Sequence, residues 1–273
     1  LVLKEKNMNF WKYQGAGNDF IMVDQRTQPW LKREDTDKIA HYCNRRFGIG
    51  ADGLILLQQI DGYDFEMVYF NADGRESSMC GNGGRCITAF AQQLGIFEKK
   101  CRFWAIDGPH EALIQRAKDQ LDAWVELKMI DVPQIERLDE HAFVLNTGSP
   151  HYIRFENSLK NKNMVEEGRA IRYNDRFKKE GINVNLVAIG TDGLQIRTYE
   201  RGVEDETLAC GTGITAAALA HHVYAGSRTP KEEIAVRALG GNLSVRYQDL
   251  GNGRFSDIWL CGPATAVFEG FIP

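Results

Sequence analysis

The sequence has no apolar run long enough to cross a bilayer. Its strongest stretches, "GLILL" (53–57) and "ITAAALA" (214–220), fall far short of the roughly 20 residues that a spanning helix requires. It has no CxxC pair, and neither its cysteine nor its histidine spacing matches a zinc knuckle. It has no excess of positive charge: 33 basic and 37 acidic residues are intermixed, for a net charge of -4, which leaves no basic field to follow a nucleic-acid backbone. The opening "LVLKEKNMNF" lacks the apolar stretch of a signal peptide. No low-complexity segment interrupts the chain. These absences argue against a membrane or nucleic-acid partner. A 273-residue chain that is 43% hydrophobic can build a core without disulfide staples, so a reducing cytoplasm is the expected setting.

What the chain does have is short strand patterns and glycine-broken turns. "NFWKYQGAGNDFIMVD" reads as two strands around a bend at Gly15, Gly17, Asn18 and Asp19. "REDTDKIAHYCNRRFGIGADG" reads as a helix capped by Asp35 or Thr36, with an apolar stripe through Ile39, Ala40, Cys43 and Phe47, ending at Gly48. Strands follow at "GLILLQQ" and "YDFEMVYFN", then a helix from near Cys80 to Gly95. The second half repeats the style, with a helix expected from about Cys210 to His222 between runs of strands.

The two halves align at a constant offset of 130 positions. Tyr69 falls on Tyr199, Glu76 on Glu206, Ser77 on Thr207, Cys80 on Cys210, Gly81 on Gly211 and Gly83 on Gly213. Each set runs strand, polar loop, cysteine, helix, which points to an internal duplication. The expected fold is therefore α+β, with two pseudo-symmetric domains, each a curved, mostly antiparallel sheet wrapped around a central helix. The domains are expected at 8–130 and 131–263, divided where Pro133 interrupts a charged stretch.

Six cysteines lie at 43, 80, 86, 101, 210 and 261. Cys43, Cys86, Cys101 and Cys261 read as small core residues. Cys80 and Cys210 differ, because each stands at a helix start and is followed by glycines. Unsatisfied N–H groups and the helix dipole favour a thiolate there, and the same N–H groups can hold a carboxylate. Two such thiols facing one stereocentre suit proton removal on one face and delivery on the other. A redox pair is the alternative, although a short CxxC serves that task more directly. His151 is open between a hydrogen-bonded turn histidine and a catalytic group. Glu200 and Arg201 are open between a solvated ion pair and recognition of an ammonium and a carboxylate. Asn18, Asn71 and Asn183 are open between turn residues and ligand contacts.

The chain resembles the diaminopimelate epimerase family. The resemblance rests on "GAGNDF" (15–20), "GADG" (50–53), "FNADGRESSMCGNGGRC" (70–86), "GSPH" (148–151), "INVNLV" (182–187), "YERGVEDETLACGTG" (199–213) and "GPATAVFEG" (262–270). It extends from about Met8 to the end. The resemblance implies a cofactor-independent interconversion of LL- and meso-2,6-diaminopimelate. It implies that Cys80 and Cys210 are the acid–base pair, with His151 and Glu200 as polar partners of the amino group and thiols. Gly81, Asn82, Gly211 and Thr212 would cradle the reacting carboxylate, while Asn18, Asn71, Asn183 and Arg201 would read the distal end. Ser149 and Gly53 stand where family members carry longer side chains, so a weaker or water-bridged contact is expected of them. The resemblance further implies a cytoplasmic homodimer, with Phe268 at the contact, and a tail strand over 264–273 returning to the first domain. A proline or hydroxyproline racemase is the nearest alternative, but in those proteins a histidine usually follows Cys-Gly, where this chain has Asn82. A binding protein without activity has no evident need of duplicated thiols at helix starts.

Overall fold

Residues 15–18 set the first turn. Ala16 and Gly17 both take positive φ, at 53° and 83°, the geometry of a two-residue hairpin whose twist matches that of its strands. It joins β1 (Met8–Gly15) to β2 (Asn18–Asp24), with Gly15 opposite Asn18. The computed structural model describes residues 7–115 and 122–272. They divide into two compact units: the chain to Leu127 with the segment from Pro263 onward, and Lys128–Gly262.

In the first unit, α1 (Thr36–Cys43), β3 (Gly53–Gln58), β4 (Phe65–Asn71), α2 (Gly81–Gln93), β5 (Lys100–Ala105), β6 (Gly108–Gln115) and β7 (Asp122–Lys128) follow the hairpin. Strands β1 to β7 lie side by side in sequence order. Most neighbours are antiparallel, but β2–β3 and β4–β5 are parallel. A parallel pair needs a crossover rather than a tight turn, and α1 and α2 supply them. The two helices cover opposite faces of the sheet. Ile39 and Cys43 of α1 join Ile21, Val23, Leu54, Leu56, Val68 and Phe70 in one core, while α2 packs on β1, β2, β3, β4 and β6. With both faces covered, the apolar run of β3 needs no polar alternation.

The second unit contains β8 (Glu136–Arg137), β9 (Ala142–Asn146), β10 (Pro150–Glu156), α3 (Met164–Arg172), β11 (Asn183–Gly190), β12 (Gly193–Glu200), β13 (Asp205–Thr207), α4 (Gly211–Tyr224), β14 (Lys231–Ala238) and β15 (Gly241–Asp249). Strand β16 (Phe255–Ile272) follows. Here β10–β11 and β12–β14 are the parallel pairs, crossed by α3 and α4. The sequence of antiparallel and parallel pairings thus repeats that of the first unit, which is what an internal duplication produces. Helix α4 is apolar on almost every side and packs on β9, β10, β11, β12, β14 and β15, as an all-round apolar helix must. Burying Ile214 and Leu219 completely contributes about 1.5–3 kcal/mol each.

Three local features go beyond or correct the sequence reading. Helix α1 ends at Cys43 rather than running to Phe47. Asn44 turns extended there, and its side-chain oxygen accepts from the N–H groups of Arg46 and Phe47, leaving Phe47 77% exposed. Helix α3 had no sequence signal because Gly168 interrupts it, yet a Cβ at Gly168 would lie 2.4 Å from Tyr199; close approach to the sheet is what selects the glycine. Finally, the tail strand expected over 264–273 is the end of a longer one: "FSDIWLCG" and "TAVFEGF" both lie in β16. Its early part pairs with β15 in the second unit and its late part with β1 in the first, from Gln14–Thr265 to Met8–Ile272.

Candidate active site

Cys80 is the N-cap of α2, with extended backbone at φ -96° and ψ 133°, and Cys210 is the N-cap of α4, at φ -109° and ψ 111°. Each carbonyl accepts the first helical bond, from Gly84 at 2.7 Å and Ile214 at 2.9 Å. Cys80 is half-buried and Cys210 buried, and neither forms a disulfide. Duplication has therefore placed a thiol at two helix starts of the same build, where backbone N–H groups and the dipole favour negative charge.

In the first unit, pairing sets out the polar residues. Phe20 pairs with Gly53 and Gly53 with Asn71, so the start of β2, the start of β3 and the end of β4 share one sheet end. Asn18 donates to Asp52 at 2.6 Å, and its amide oxygen lies 3.7 Å from the Cys80 sulfur. The same oxygen accepts from Asn82, whose own oxygen accepts from Arg85 at 2.9 Å. Arg85 is fully buried and also donates to the carbonyls of Gly81 and Pro263. Outside this group, Arg45 bridges Asp19 and Asp52, and Lys12 pairs with Asp19 at 2.8 Å. Burial raises the Asp19 pKa, but the Arg45 and Lys12 cations outweigh it and hold the carboxyl well below its usual range. Asn71 is exposed at the end of β4. A Cβ at Gly53 would lie 2.5 Å from the Phe70 carbonyl oxygen, so the glycine is a packing requirement at that strand start.

In the second unit, His151 lies on β10 with no exposed surface. Its Nε2 is 2.8 Å from the Thr212 hydroxyl, which is 3.4 Å from the Cys210 sulfur. Its Nδ1 accepts from the Asn185 amide at 3.1 Å. Burial, with a smaller contribution from Arg201, pushes the imidazole pKa down to about 3, so the ring is neutral. Asn183 donates to Ser149 at 2.8 Å and to the Pro150 carbonyl, and accepts from the Arg201 N–H at 2.8 Å. It ties the start of β10 to the loop after β12. Arg201 is exposed and donates to the Glu180 carbonyl. Burial pushes the Glu200 carboxyl above its usual range.

The structure thus gathers Asn18, Gly53, Asn71, Cys80, Gly81 and Asn82 in the first unit. In the second it gathers Ser149, His151, Asn183, Glu200, Arg201, Cys210, Gly211 and Thr212. Sequence reasoning missed Asp52, Arg85, Asn185 and Thr198, which hold the others; Thr198 donates to the Asn185 amide oxygen at 2.9 Å. A signal for Asn185 was available: it stands two residues after Asn183, on the same face of β11. Cys43, Cys86, Cys101 and Cys261 are buried in the core, and burial pushes the thiol pKa of the first three up to about 12. Among the described residues, no group of three or more His, Cys, Asp or Glu is arranged to hold a metal ion. None of their helices is long and apolar enough to cross a membrane.

Known proteins are similar to this chain in sequence and in fold. The model of the family described as diaminopimelate epimerase matches residues 10–128 and 143–267. A diaminopimelate epimerase of Flavobacterium psychrophilum is 48% identical over 263 residues, covering 96% of this chain and 99% of its own. Another, from Chlorobaculum tepidum, is 41% identical over 94% of this chain and 98% of its own. The fold also matches a crystal structure of a PhzF-family phenazine biosynthesis protein from Bacillus anthracis, with a TM-score of 0.74, 15% identity and coverage of 98% and 99%. By family model, identity and coverage, this chain belongs to the diaminopimelate epimerase family.

Proposed function

We propose that the protein is an isomerase that interconverts LL- and meso-2,6-diaminopimelate by proton exchange at one α-carbon. The observation that carries this reading is the pair of cysteine-capped helix starts, alike in backbone conformation and in the glycine that follows, in a chain of that family. One thiolate takes the α-proton and the other thiol gives its proton to the opposite face. The reverse reaction exchanges their roles, so no net proton or electron is consumed.

The difficulty is the weak acidity of the α-hydrogen. As the C–H bond breaks, charge moves into the adjacent carboxylate, and preorganised N–H donors there lower the barrier. One such donor is worth roughly 2.7–4 kcal/mol in comparable sites. The N–H groups of Gly81, Asn82, Gly211 and Thr212 are assigned this role. Glu200 is assigned to the reacting ammonium. Arg201 is assigned to the distal carboxylate, supported by its exposed guanidinium. Asn18, Asn71 and Asn183 complete distal recognition, with Asn183 acting chiefly through its hold on Ser149 and Arg201. Gly53 contributes no side chain, and its glycine answers to packing against Phe70 and Tyr69.

The protein is assigned to the cytoplasm as a homodimer. Support for a second copy comes from the tail strand, where Val267, Phe268 and Phe271 are about half exposed or more, an apolar group suited to burial against a partner.

The test is deuterium incorporation at the α-carbon of LL-diaminopimelate by freshly reduced protein in D₂O, with no cofactor added and L-proline run in parallel. Exchange accompanied by the meso isomer is expected for diaminopimelate alone. Exchange of proline only would reassign the substrate, and exchange of neither would sink the reading.

A further inference from the structure

We propose that Glu204 is a positioning residue for substrate choice: its carboxylate closes the turn that presents Arg201, and through Arg201 it sets the affinity for an amino acid that carries a second carboxylate. Glu204 acts on Arg201 rather than on the ligand. The consequence for affinity rests on the epimerase reading above, whereas the hold on the turn rests on the contacts alone.

Consider the loop between β12 and β13. Glu200 ends β12, and its carbonyl accepts from the Glu204 N–H at 2.8 Å, so residues 200–204 form one tight turn with Arg201 inside it. The turn takes left-handed backbone twice, at Gly202 with φ 93° and at Glu204 with φ 60°. Glycine enters that region freely, but a residue with a Cβ stands there at a steric cost. The Glu204 side chain offsets it. Its Oε1 accepts from the Gly202 N–H at 3.1 Å, and its Oε2 accepts from the hydroxyls of Tyr173 at 2.8 Å and Tyr199 at 3.0 Å. Arg172 Nε stands 3.5 Å from Oε1 as an ion pair. Burial raises the Glu204 pKa, but these donors outweigh it and hold the carboxyl below its usual range.

The donors stand on fixed structure. Tyr199 lies on β12 with its side chain fully buried. Arg172 is the last residue of α3 and Tyr173 its C-cap. One carboxylate therefore ties the turn both to a strand and to a helix end. The Arg172 guanidinium lies over the Tyr173 ring, 4.7 Å from its centroid.

Arg201 takes its place from this turn and from three further contacts. Its N–H donates to the Asn183 side-chain oxygen at 2.8 Å, and its guanidinium donates to the Glu180 carbonyl at 3.0 Å. Its stem passes Gly181, which is buried with φ 76°. A Cβ at Gly181 would lie 2.6 Å from Arg201 Cδ and 2.8 Å from Arg172 Cζ. Arg201 and Arg172 thus meet over one glycine, and like charges that close repel. Glu204 offsets the charge of Arg172. It orders Arg201 through the backbone and leaves the rest of that guanidinium fork to a ligand carboxylate.

The experiment is α-carbon exchange of LL-diaminopimelate at varied concentration. Glu204→Ala should raise KM about tenfold, the ratio that one charge-assisted hydrogen bond supports. The kcat should stay nearly unchanged, because binding far from the reacting carbon is lost equally from ground and transition states. Loss of the negative charge alone gives the opposite sign, since it strengthens the attraction for a carboxylate. Glu204→Gln should keep the natural KM. Its oxygen can face Gly202 and Arg172 while its nitrogen donates to the tyrosine oxygens, which accept as well as donate. Tyr173→Phe combined with Tyr199→Phe keeps the rings and removes their hydroxyls, and should raise KM in the same direction as Glu204→Ala. An unchanged KM in the alanine or the double variant, a KM raised equally by Glu204→Gln, or a fall in kcat as large as the rise in KM would overturn the proposal. In substrate-free protein, hydrogen exchange read by mass spectrometry should be faster in Glu204→Ala for the peptide over 200–205, with α4 as in the natural protein. Unchanged exchange in that peptide would equally overturn it. If the natural protein exchanges no diaminopimelate, the functional reading falls, and the hydrogen-exchange measurement still decides whether Glu204 holds the turn.

Discussion

The Nε2 of His151 lies 2.8 Å from the hydroxyl of Thr212, on a ring with no exposed surface. Burial has displaced the histidine pKa from 6.5 to about 3, so the folded protein resists a proton that the unfolded chain accepts. Between pH 6.5 and 3 the unfolded state therefore binds more protons, and stability rises with pH across that window and is lost as pH falls through it. The slope from this group approaches about 1.4 kcal/mol per pH unit. Urea unfolding at pH 7, 6 and 5 should show a smaller loss for His151→Gln than for the natural protein. Equal slopes would mean that His151 titrates normally.

Two-thiol proton transfer predicts that Cys80→Ala and Cys210→Ala each lower epimerisation by on the order of 10²–10⁴, with folding unchanged by circular dichroism. Retained turnover in either variant would refute the scheme. The rate should follow a bell in pH, because a thiolate and a thiol must coexist, and its limbs belong to the coupled pair rather than to either residue. A rate that only rises with pH would contradict this.

Much of the fold was legible because the duplicated cysteine-helix unit carries its own signals: glycines after Cys80 and Cys210, an apolar helix, and strands on either side. Helix α1 was overextended because its apolar spacing continues to Phe47, while Asn44 ends it through local side-chain bonds that periodicity does not register. Helix α3 was invisible because Gly168 answers to contact with Tyr199, a residue distant in sequence. The same division holds at the site. Residues beside the thiols could be named from motifs, but Asp52, Asn185 and Thr198 act through strand register, and Arg85 through its place one turn along α2 from Gly81 and Asn82. Asn185 meets Thr198 only because β11 and β12 pair with those two residues opposite.

Gly213 tests how tightly the second half-site is built. Alanine is the better helix former by about 1 kcal/mol in an exposed helix interior. Here its Cβ would lie 2.5 Å from the Asn185 oxygen and 3.3 Å from the His151 ring. Gly213→Ala should therefore displace the chain of contacts to Thr212 and lower kcat on the order of 10²-fold, the cost of a misplacement near 1 Å. It should also destabilise by about 1–3 kcal/mol. Unchanged kcat in the exchange assay would show that the Asn185–His151 geometry is not required.

Gly168→Ala separates fold from chemistry. The added Cβ would meet Cβ and Cγ of Tyr199 at 2.4 Å each. Tyr199 is fully buried in the cluster formed by Met164, Ile182, Val184 and Leu186. Neither partner is a flexible side-chain tip that can turn aside, so α3 must lift from the sheet and surrender part of that burial. The cost should be about 1–3 kcal/mol or more, exceeding the propensity gain of alanine. Urea unfolding should show a lowered midpoint, while α-carbon exchange by the folded protein without urea, at saturating substrate, stays that of the natural protein. A midpoint that is unchanged or raised would show that the helix accommodates the methyl group without lifting.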